Sequence, residues 1–143
     1  MRVVYAAPGK PAEIRDVQKG MESMQALVHG TFDCLPMHGG FDLWINDEGR
    51  LRFFDESEPE LFKDGSRVFA PNRLIRGKRA TEYWDVIGPL FVAASTDEGE
   101  TIGLTEKQAE QVRAWLDGGN DICRPLEAEE IDEPMMVVSS FTA

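Results

Sequence analysis

Hydrophobic and polar residues alternate at the start of the chain, as they do in half-buried strands. Residues 2–7 and 11–17 alternate in this way on either side of a Pro-Gly-Lys turn, so we expect an N-terminal hairpin. Residues 20–30 change to helical spacing, and Gly30 stands where a helix commonly ends. The chain is therefore predicted to begin with two strands and a helix that packs on the sheet.

Shorter segments with the same alternation follow this helix. Residues 31–36 and 41–46 predict two strands that are separated by a glycine pair. The turn at residues 46–49 predicts that the chain reverses into a strand at residues 51–54, which would make a second hairpin. Residues 55–72 are rich in charge, proline and glycine, and predict an irregular segment with at most one helical turn.

The most apolar part of the chain predicts buried strands. Residues 83–87 and 90–95 are joined by a Gly-Pro bend, and we expect both to occupy the centre of the sheet. A helix is predicted to begin after Thr105, whose hydroxyl can cap it while Gln108 reaches back, and to end at the glycine pair 118–119.

Together these segments indicate an α+β fold, with a mainly antiparallel sheet of about five or six strands covered by two helices. A chain of 143 residues that is 42% hydrophobic matches one domain. We place this domain at residues 1–119 and assign residues 120–143 to an acidic C-terminal extension. Residues 121–133 lack periodicity, whereas residues 135–138 are apolar and can end the extension in an edge strand.

The charge of the chain is unevenly distributed. Of the net −11, residues 97–133 contribute −9, whereas residues 66–81 hold five basic residues and no acid. The net charge disfavours direct binding of nucleic acid or an anionic membrane. The acidic stretch is either solvated surface or a face that imitates nucleic acid. The basic stretch is either a loop that pairs with those acids or a phosphate-binding pocket.

Residues that could catalyse a reaction are few. Cys34 and Cys123 are the only cysteines, which favours free thiols and a reducing, cytoplasmic location, and no apolar run is long enough for a membrane span. His38 lies near Cys34, but a strand followed by a turn favours a buried structural cysteine and an exposed histidine over a catalytic or metal pair. We expect no catalytic residue, metal or cofactor, and keep a small phosphate-ester hydrolase as the enzyme alternative.

Several short motifs occur in a fixed order along residues 1–116. They are Val3-Val4 with Pro8-Gly9-Lys10-Pro11-Ala12-Glu13-Ile14, Leu27-Val28 with Gly30, Asn46-Asp47-Glu48-Gly49 before Leu51, Asn72-Arg73-Leu74 with Arg76, Asp85-Val86-Ile87-Gly88 with Phe91-Val92, and Leu104-Thr105-Glu106. In this order they resemble an uncharacterised family of small proteins of phages, plasmids and other mobile elements. The resemblance implies a biological setting but no reaction, and the chain departs from it by an insertion near residues 55–71 and by the acidic tail after Asp117.

Two hypotheses of function follow, of which the first is a non-enzymatic binding protein that helps a mobile element against a host defence. It would sequester a phosphorylated small molecule or nucleotide, or present its acidic face as a nucleic-acid mimic that inhibits a host nucleic-acid-binding protein. The second is an accessory protein-interaction subunit of the element. We also expect a homodimer, because the chain is rich in aromatic residues. The predicted ligand-binding residues are Asn72, Arg73, Arg76, Lys78 and Arg79 for phosphate, with Tyr83 and Trp84, or Trp44, for stacking.

Overall fold

Two antiparallel sheets and three helices organise the protein in a computed structural model, which describes residues 1–77, 79, 81–118 and 123–132. The larger sheet has six strands, and a second sheet has three. The predicted α+β class and the antiparallel sheet of five or six strands are confirmed. The third helix and the second sheet are additions to that prediction. The domain boundary at residues 119 and 120 stays a prediction.

The strands and helices follow one another along the chain with short connections. The larger sheet has the order β2-β1-β7-β4-β3, with β8 added to β7, and the smaller has the order β6-β5-β9. The strands are β1 (Arg2–Ala6), β2 (Glu13–Asp16), β3 (Phe32–Pro36), β4 (Phe41–Asn46), β5 (Pro71–Arg76), β6 (Tyr83–Ile87), β7 (Leu90–Ser95), β8 (Thr101–Ile102) and β9 (Cys123–Pro125). The helices are α1 (Met21–Val28), α2 (Gly49–Phe54) and α3 (Glu106–Asp117).

The core has two layers, one on each face of the central strand β7. Leu90 and Val92 belong to the apolar cluster that also contains residues of α3 and the small sheet. Phe91 and Ala93 belong to the cluster on the α1 side. All four are fully buried because both faces of the strand are covered. The central position predicted for residues 90–95 is confirmed.

The strand predicted at residues 83–87 forms as β6, but it lies in the small sheet and not in the centre of the large one. The chain passes from β6 to β7 at Gly88, whose backbone has a φ of 95°. A β-carbon at this position would lie 3.2 Å from the ring of Phe69, so glycine suits both the backbone and the space. The Gly-Pro bend therefore transfers the chain between two sheets.

The ends of two helices carry local capping signals. In α3 the Thr105 hydroxyl accepts a hydrogen bond from the backbone N–H of Gln108, whose side chain accepts one in return, as predicted. Helix α1 ends at Val28, two residues before Gly30, and its capping residue His29 adopts the left-handed conformation with a φ of 62°. The Asn46 side-chain amide donates to the carbonyl oxygens of Val28 and His29, and so ties this helix end to β4.

The strand predicted at residues 51–54 is wrong, because these residues form helix α2. Strand β4 already pairs with β3 on one edge and β7 on the other, so it has no free edge for a hairpin partner. The helix instead begins against β6: a β-carbon on Gly49 would lie 2.3 Å from the carbonyl oxygen of Ile87. The second predicted hairpin is replaced by a helix that packs beside the small sheet.

The irregular segment predicted at residues 55–72 is shorter than expected. Residues 71 and 72 already belong to β5, the middle strand of the small sheet. The basic stretch is therefore partly a strand and not a surface loop throughout. On the other edge of β5, the described part of the acidic extension begins with β9, and Leu126 and Ile131 are buried beyond this strand. The edge strand predicted at residues 135–138 lies outside the described residues.

Candidate functional site

The ligand-binding residues predicted from sequence do not lie in one environment. Asn72 is 4% exposed, and its side-chain amide donates to the carbonyl oxygens of Ala6 and Gly88 at 2.9 and 2.8 Å. It therefore joins β5 to β1 and to the bend before β7. Both amide protons are used inside the protein.

Arg73 is also buried, at 7% exposure. Its Nε donates to the Leu116 carbonyl at 3.0 Å, and its Nη1 donates to Asn72 Oδ1 at 2.6 Å. Its Nη2 donates to the Lys10 carbonyl at 3.0 Å and to Asp117 Oδ1 at 2.7 Å. The guanidinium thus connects β5 with the first hairpin turn and the end of α3. Although a cavity of about 510 Å³ adjoins it, most of its donors are already occupied.

The remaining predicted residues lie toward the tip of the β5–β6 hairpin. Arg76 pairs with Tyr83, and its guanidinium carbon is 5.5 Å from the centre of that ring. Arg76 Nε is buried and has no hydrogen-bond partner among the residues that the structure describes, whereas Tyr83 is 48% exposed. Trp84 is one position along the strand, on the opposite face, and packs against the core. Arg79 is exposed, and Lys78 lies outside the described residues. Ligand binding by this set stays a prediction.

A cleft of about 580 Å³ opens on the α1 side of the large sheet. Its walls come from the first hairpin, from α1 and from the segment at residues 55–70, which we call the flap. This volume lies within the range of small-molecule sites. The lining residues are Tyr5, Ala7, Lys10, Arg15, Ala26, Leu27, His29, Leu61, Phe62, Lys63 and Asp64.

The lining of the cleft is positively charged in a protein of net charge −11. The lining residues include three cations, Lys10, Arg15 and Lys63, and one acid, Asp64. Lys10 Nζ lies 3.1 Å from Asp64, and Arg15 is paired with Glu13, which is not one of the lining residues. Lys63 is exposed and makes no ion pair or hydrogen bond with any residue that the structure describes. One cation of the lining is thus available to a ligand without loss of an internal contact.

Arg15 and Tyr5 form a fixed pair on the sheet wall of the cleft. The Arg15 guanidinium carbon lies 3.8 Å from the centre of the Tyr5 ring, and Arg15 also contacts the Glu13 carboxylate. Burial raises the pKa of Tyr5, more than the charge of Arg15 lowers it. The phenol therefore stays neutral at physiological pH and offers a ring and a hydroxyl.

His29 stands on the opposite side of the cleft in a strained backbone conformation. It is the one non-glycine residue with a positive φ among those the structure describes. Its Nδ1 lies 2.7 Å from Glu60 Oε1, and its ring meets Phe62 edge to face at 5.6 Å. Non-glycine residues in this conformation cost about 1–3 kcal/mol, and such strain is frequent at binding sites.

The flap is anchored firmly at its base and lightly at its tip. Val68 and Phe69 are buried, and the Arg67 guanidinium donates to the carbonyl oxygens of Arg52 and Asp55. The tip carries Leu61 to Asp64 over the cleft, and Leu61 is 53% exposed. The flap therefore supplies one wall of the cleft.

The groups that could support nucleophilic or metal chemistry lie elsewhere. Cys34 is exposed on edge strand β3, so the sequence prediction of a buried thiol there is wrong. Desolvation of its sulfur, followed by the negative charge of Asp42, raises the pKa of Cys34 to about 11. Burial raises the pKa of Cys123 to about 11 as well. Within the described ranges no group of three or more metal-ligating side chains comes together.

Sequence reasoning missed the cleft, although one signal for it was present. In the first hairpin Val3 pairs with Arg15 and Tyr5 with Glu13, so Arg15 and Tyr5 are diagonal neighbours on one face. The alternation that predicts the hairpin is enough to find this pair. No sequence pattern brings Lys63 or His29 to the same place.

Comparison with known proteins adds a family. A family model described as a domain of unknown function, DUF3846, matches residues 1–117. The chain belongs to this family. No curated protein and no solved structure matched the chain. The family region includes both walls of the cleft and the flap, and it ends at the last residue of α3. Strand β9 and the residues after it lie beyond the matched region.

The helices are short. None of those in the described part of the chain is long and apolar enough to cross a membrane.

Proposed function

We propose that this family member is a binding protein for a small phosphorylated molecule, and that the cleft between α1, the first hairpin and the flap holds it. The observation that supports this most directly is the lining: Lys10, Arg15 and Lys63 all line one cleft of about 580 Å³ in a strongly acidic protein. Phosphate oxygens are the natural partners of lysine and arginine donors.

The apolar part of the lining favours a ligand with a ring. Tyr5 and Phe62 contribute aromatic surface, and Leu27 contributes aliphatic surface from α1. Aromatic side chains bind nucleobases by stacking with little dependence on base identity. A nucleotide therefore suits both halves of the cleft, and nucleotides can act as signals in host defence. The role against a host defence and the setting in a mobile element are parts of this proposal that rest on the family resemblance.

The cleft is a better candidate than the residues proposed from sequence. Arg73 and Asn72 already donate hydrogen bonds to carbonyl, amide and carboxylate oxygens inside the protein. Arg76 and Tyr83 contact each other, with the guanidinium carbon 5.5 Å from the ring centre, and neither residue lines the cleft. Lys63, in contrast, both lines a cavity and lacks a partner among the described residues. We therefore place the ligand at Lys63, Lys10 and Arg15.

Native mass spectrometry of the protein purified from cells, followed by calorimetric titration with adenosine 5′-monophosphate, tests this proposal. We expect a nucleotide-sized mass to be released on denaturation, and Lys63→Ala to weaken binding of the probe about tenfold by removing one charge-assisted contact. Lys107→Ala is the matched control, because Lys107 is an exposed lysine on α3 with no partner among the described residues. If both variants bind the probe equally well, the cleft is not the binding site. If Arg76→Ala then weakens binding of the probe, the site lies at the tip of the β5–β6 hairpin.

A second candidate function uses the acidic surface. Ten of the twelve acids in residues 97–133 are described, and all ten are exposed. A mimic of nucleic acid needs such a surface to bind a basic host protein. Several of these carboxylates, however, are held by internal cations, among them Glu130 by Arg124 and Asp117 by Arg73. If the purified protein carries no ligand and instead competes with DNA or RNA for a host nuclease, this second function replaces the first.

A homodimer and an accessory role in the mobile element also remain proposals. The described surface includes exposed Met21, Leu51 and Ile102, which are scattered over different elements. Size-exclusion chromatography with light scattering measures the mass directly. A monomer at micromolar concentration would contradict the dimer.

A further inference from the structure

We propose that the flap carboxylates of Glu60 and Asp64 occupy the places of two anionic groups of the ligand, so that the ligand class is a molecule with two separated phosphate groups. This inference rests on the proposed function of the cleft. In the empty protein the two carboxylates would act as internal competitors for the side chains, Lys10 and His29, that the ligand needs.

The first internal anion is Asp64. Its Oδ2 lies 3.1 Å from Lys10 Nζ, and its Oδ1 accepts hydrogen bonds from the Ser66 backbone and hydroxyl. These Ser66 bonds, with Lys10 as the next contribution, lower the pKa of Asp64 to about 2. The carboxylate is therefore charged at physiological pH. Its hydrogen bonds with Ser66 orient it toward Lys10, which lines the cleft.

The second internal anion is Glu60. Its Oε1 lies 2.7 Å from His29 Nδ1, and its side chain is 41% exposed. His29 presents its ring to Glu60 from the left-handed position at the end of α1. The flap therefore brings one carboxylate to each of two donors that line the cleft.

Both contacts are open to solvent, although the contact between His29 and Glu60 is less so, with side chains that are 25% and 41% exposed. Lys10 and Asp64 are 54% and 48% exposed, and exposed ion pairs contribute little to stability. The base of the flap is held separately by buried Val68 and Phe69. A ligand phosphate, which carries more charge than a carboxylate, can replace either carboxylate while the base stays in place.

The partners of the two carboxylates indicate how the two anionic groups of the ligand are arranged. His29 follows α1 and Lys10 lies in the first hairpin turn, and both line the cleft together with Phe62. A ligand that replaces both carboxylates would therefore have two separate phosphates joined by a body that can contact Phe62. A nucleoside with phosphates on two different hydroxyls has this form, whereas a monophosphate supplies only one of the groups.

Calorimetric titration of the full chain with adenosine 3′,5′-bisphosphate and with adenosine 5′-monophosphate tests the inference. Wild-type protein should bind the bisphosphate about tenfold more tightly than the monophosphate, since one further charge-assisted contact is made. The double variant Glu60→Gln with Asp64→Asn should bind the bisphosphate about tenfold more tightly than wild type, because the internal competitors are removed. Asn at position 64 retains an oxygen that can accept from Ser66, so the turn is preserved.

The matched control is Asp97→Asn with Glu98→Gln, which makes the same change of charge in the exposed β7–β8 turn. This control should leave both affinities unchanged. If wild type binds but the flap variant gains no affinity, or if the control gains as much, the inference is overturned and the proposed function stands. An equal gain for both probes also overturns it, because only one anion position would then exist. If neither probe binds either protein, the proposed function fails and the inference with it.

Discussion

Replacing Arg73 with alanine should destabilise the fold and not merely weaken a ligand site. The guanidinium makes four hydrogen bonds, to the carbonyl oxygens of Leu116 and Lys10 and to the side chains of Asn72 and Asp117. Removing one partner of a buried ion pair costs about 3–5 kcal/mol. Because the Asp117 side chain is 35% exposed and can regain water, we expect the lower end, about 3 kcal/mol in the free energy of unfolding.

Urea denaturation followed by tryptophan fluorescence and circular dichroism measures this loss. Arg73→Lys should recover only part of the stability, because an ammonium group cannot reproduce the planar fork that reaches several acceptors at once. Arg113→Ala is the control: its pair with Glu110 is 45% and 53% exposed, and its removal should change the free energy of unfolding by less than about 0.5 kcal/mol.

A small effect would refute this reasoning. If Arg73→Ala loses less than about 1 kcal/mol with an unchanged slope against urea, the four contacts do not stabilise the fold as argued. If the variant stays folded but also loses ligand, Arg73 would be a binding residue, as the sequence predicted. Binding must therefore be measured only on variants whose stability is known.

Three further predictions concern packing, acid stability and thiol reactivity. Gly49→Ala should lower the thermal midpoint through a loss of about 1–3 kcal/mol, because the new β-carbon would meet the Ile87 carbonyl at 2.3 Å; an unchanged midpoint in a calorimetric scan would contradict this. The hydrogen bond from Arg124 lowers the pKa of Glu130 from 4.5 to about 2, so its contribution to stability is present above about pH 4.5 and lost toward pH 2. A difference in urea midpoint between wild type and Glu130→Gln should accordingly be seen near neutral pH and vanish on acidification. Cys34 should react slowly with iodoacetamide at neutral pH and faster as the pH approaches about 11, and rapid alkylation at neutral pH would show that its pKa is not raised.

Features that depend on neighbouring residues could be predicted from sequence. The first hairpin follows from its alternation and its turn, and the start of α3 follows from Thr105 and its partner three residues later. The central strand β7 follows from a run of apolar residues that is buried on both faces. Each of these signals lies within a few positions of the chain, so composition and spacing are sufficient to find it.

The errors arise where distant parts of the chain compete for the same place. Residues 51–54 have enough apolar character for a strand, but both edges of β4 are taken by β3 and by β7. No pattern of neighbouring residues shows that both edges of β4 are already paired. The chain therefore adopts a helix whose first residue, Gly49, fits against a strand that begins more than thirty positions later.

At the candidate site, the sequence likewise does not show which charged residues already have partners inside the protein. In the sequence Arg73 and Lys63 are two basic residues of one neighbourhood, yet their surroundings in the fold are opposite. Arg73 is buried because acceptors 43 and 63 positions away converge on it. Lys63 is left without a partner among the described residues and faces a cleft. The sequence by itself determined the first hairpin, the central strand β7, the cap of α3 and the charge balance, since these follow from backbone preference and composition. Only the tertiary structure decided which cations are already neutralised and which can meet a ligand, because that depends on contacts between residues far apart in the chain.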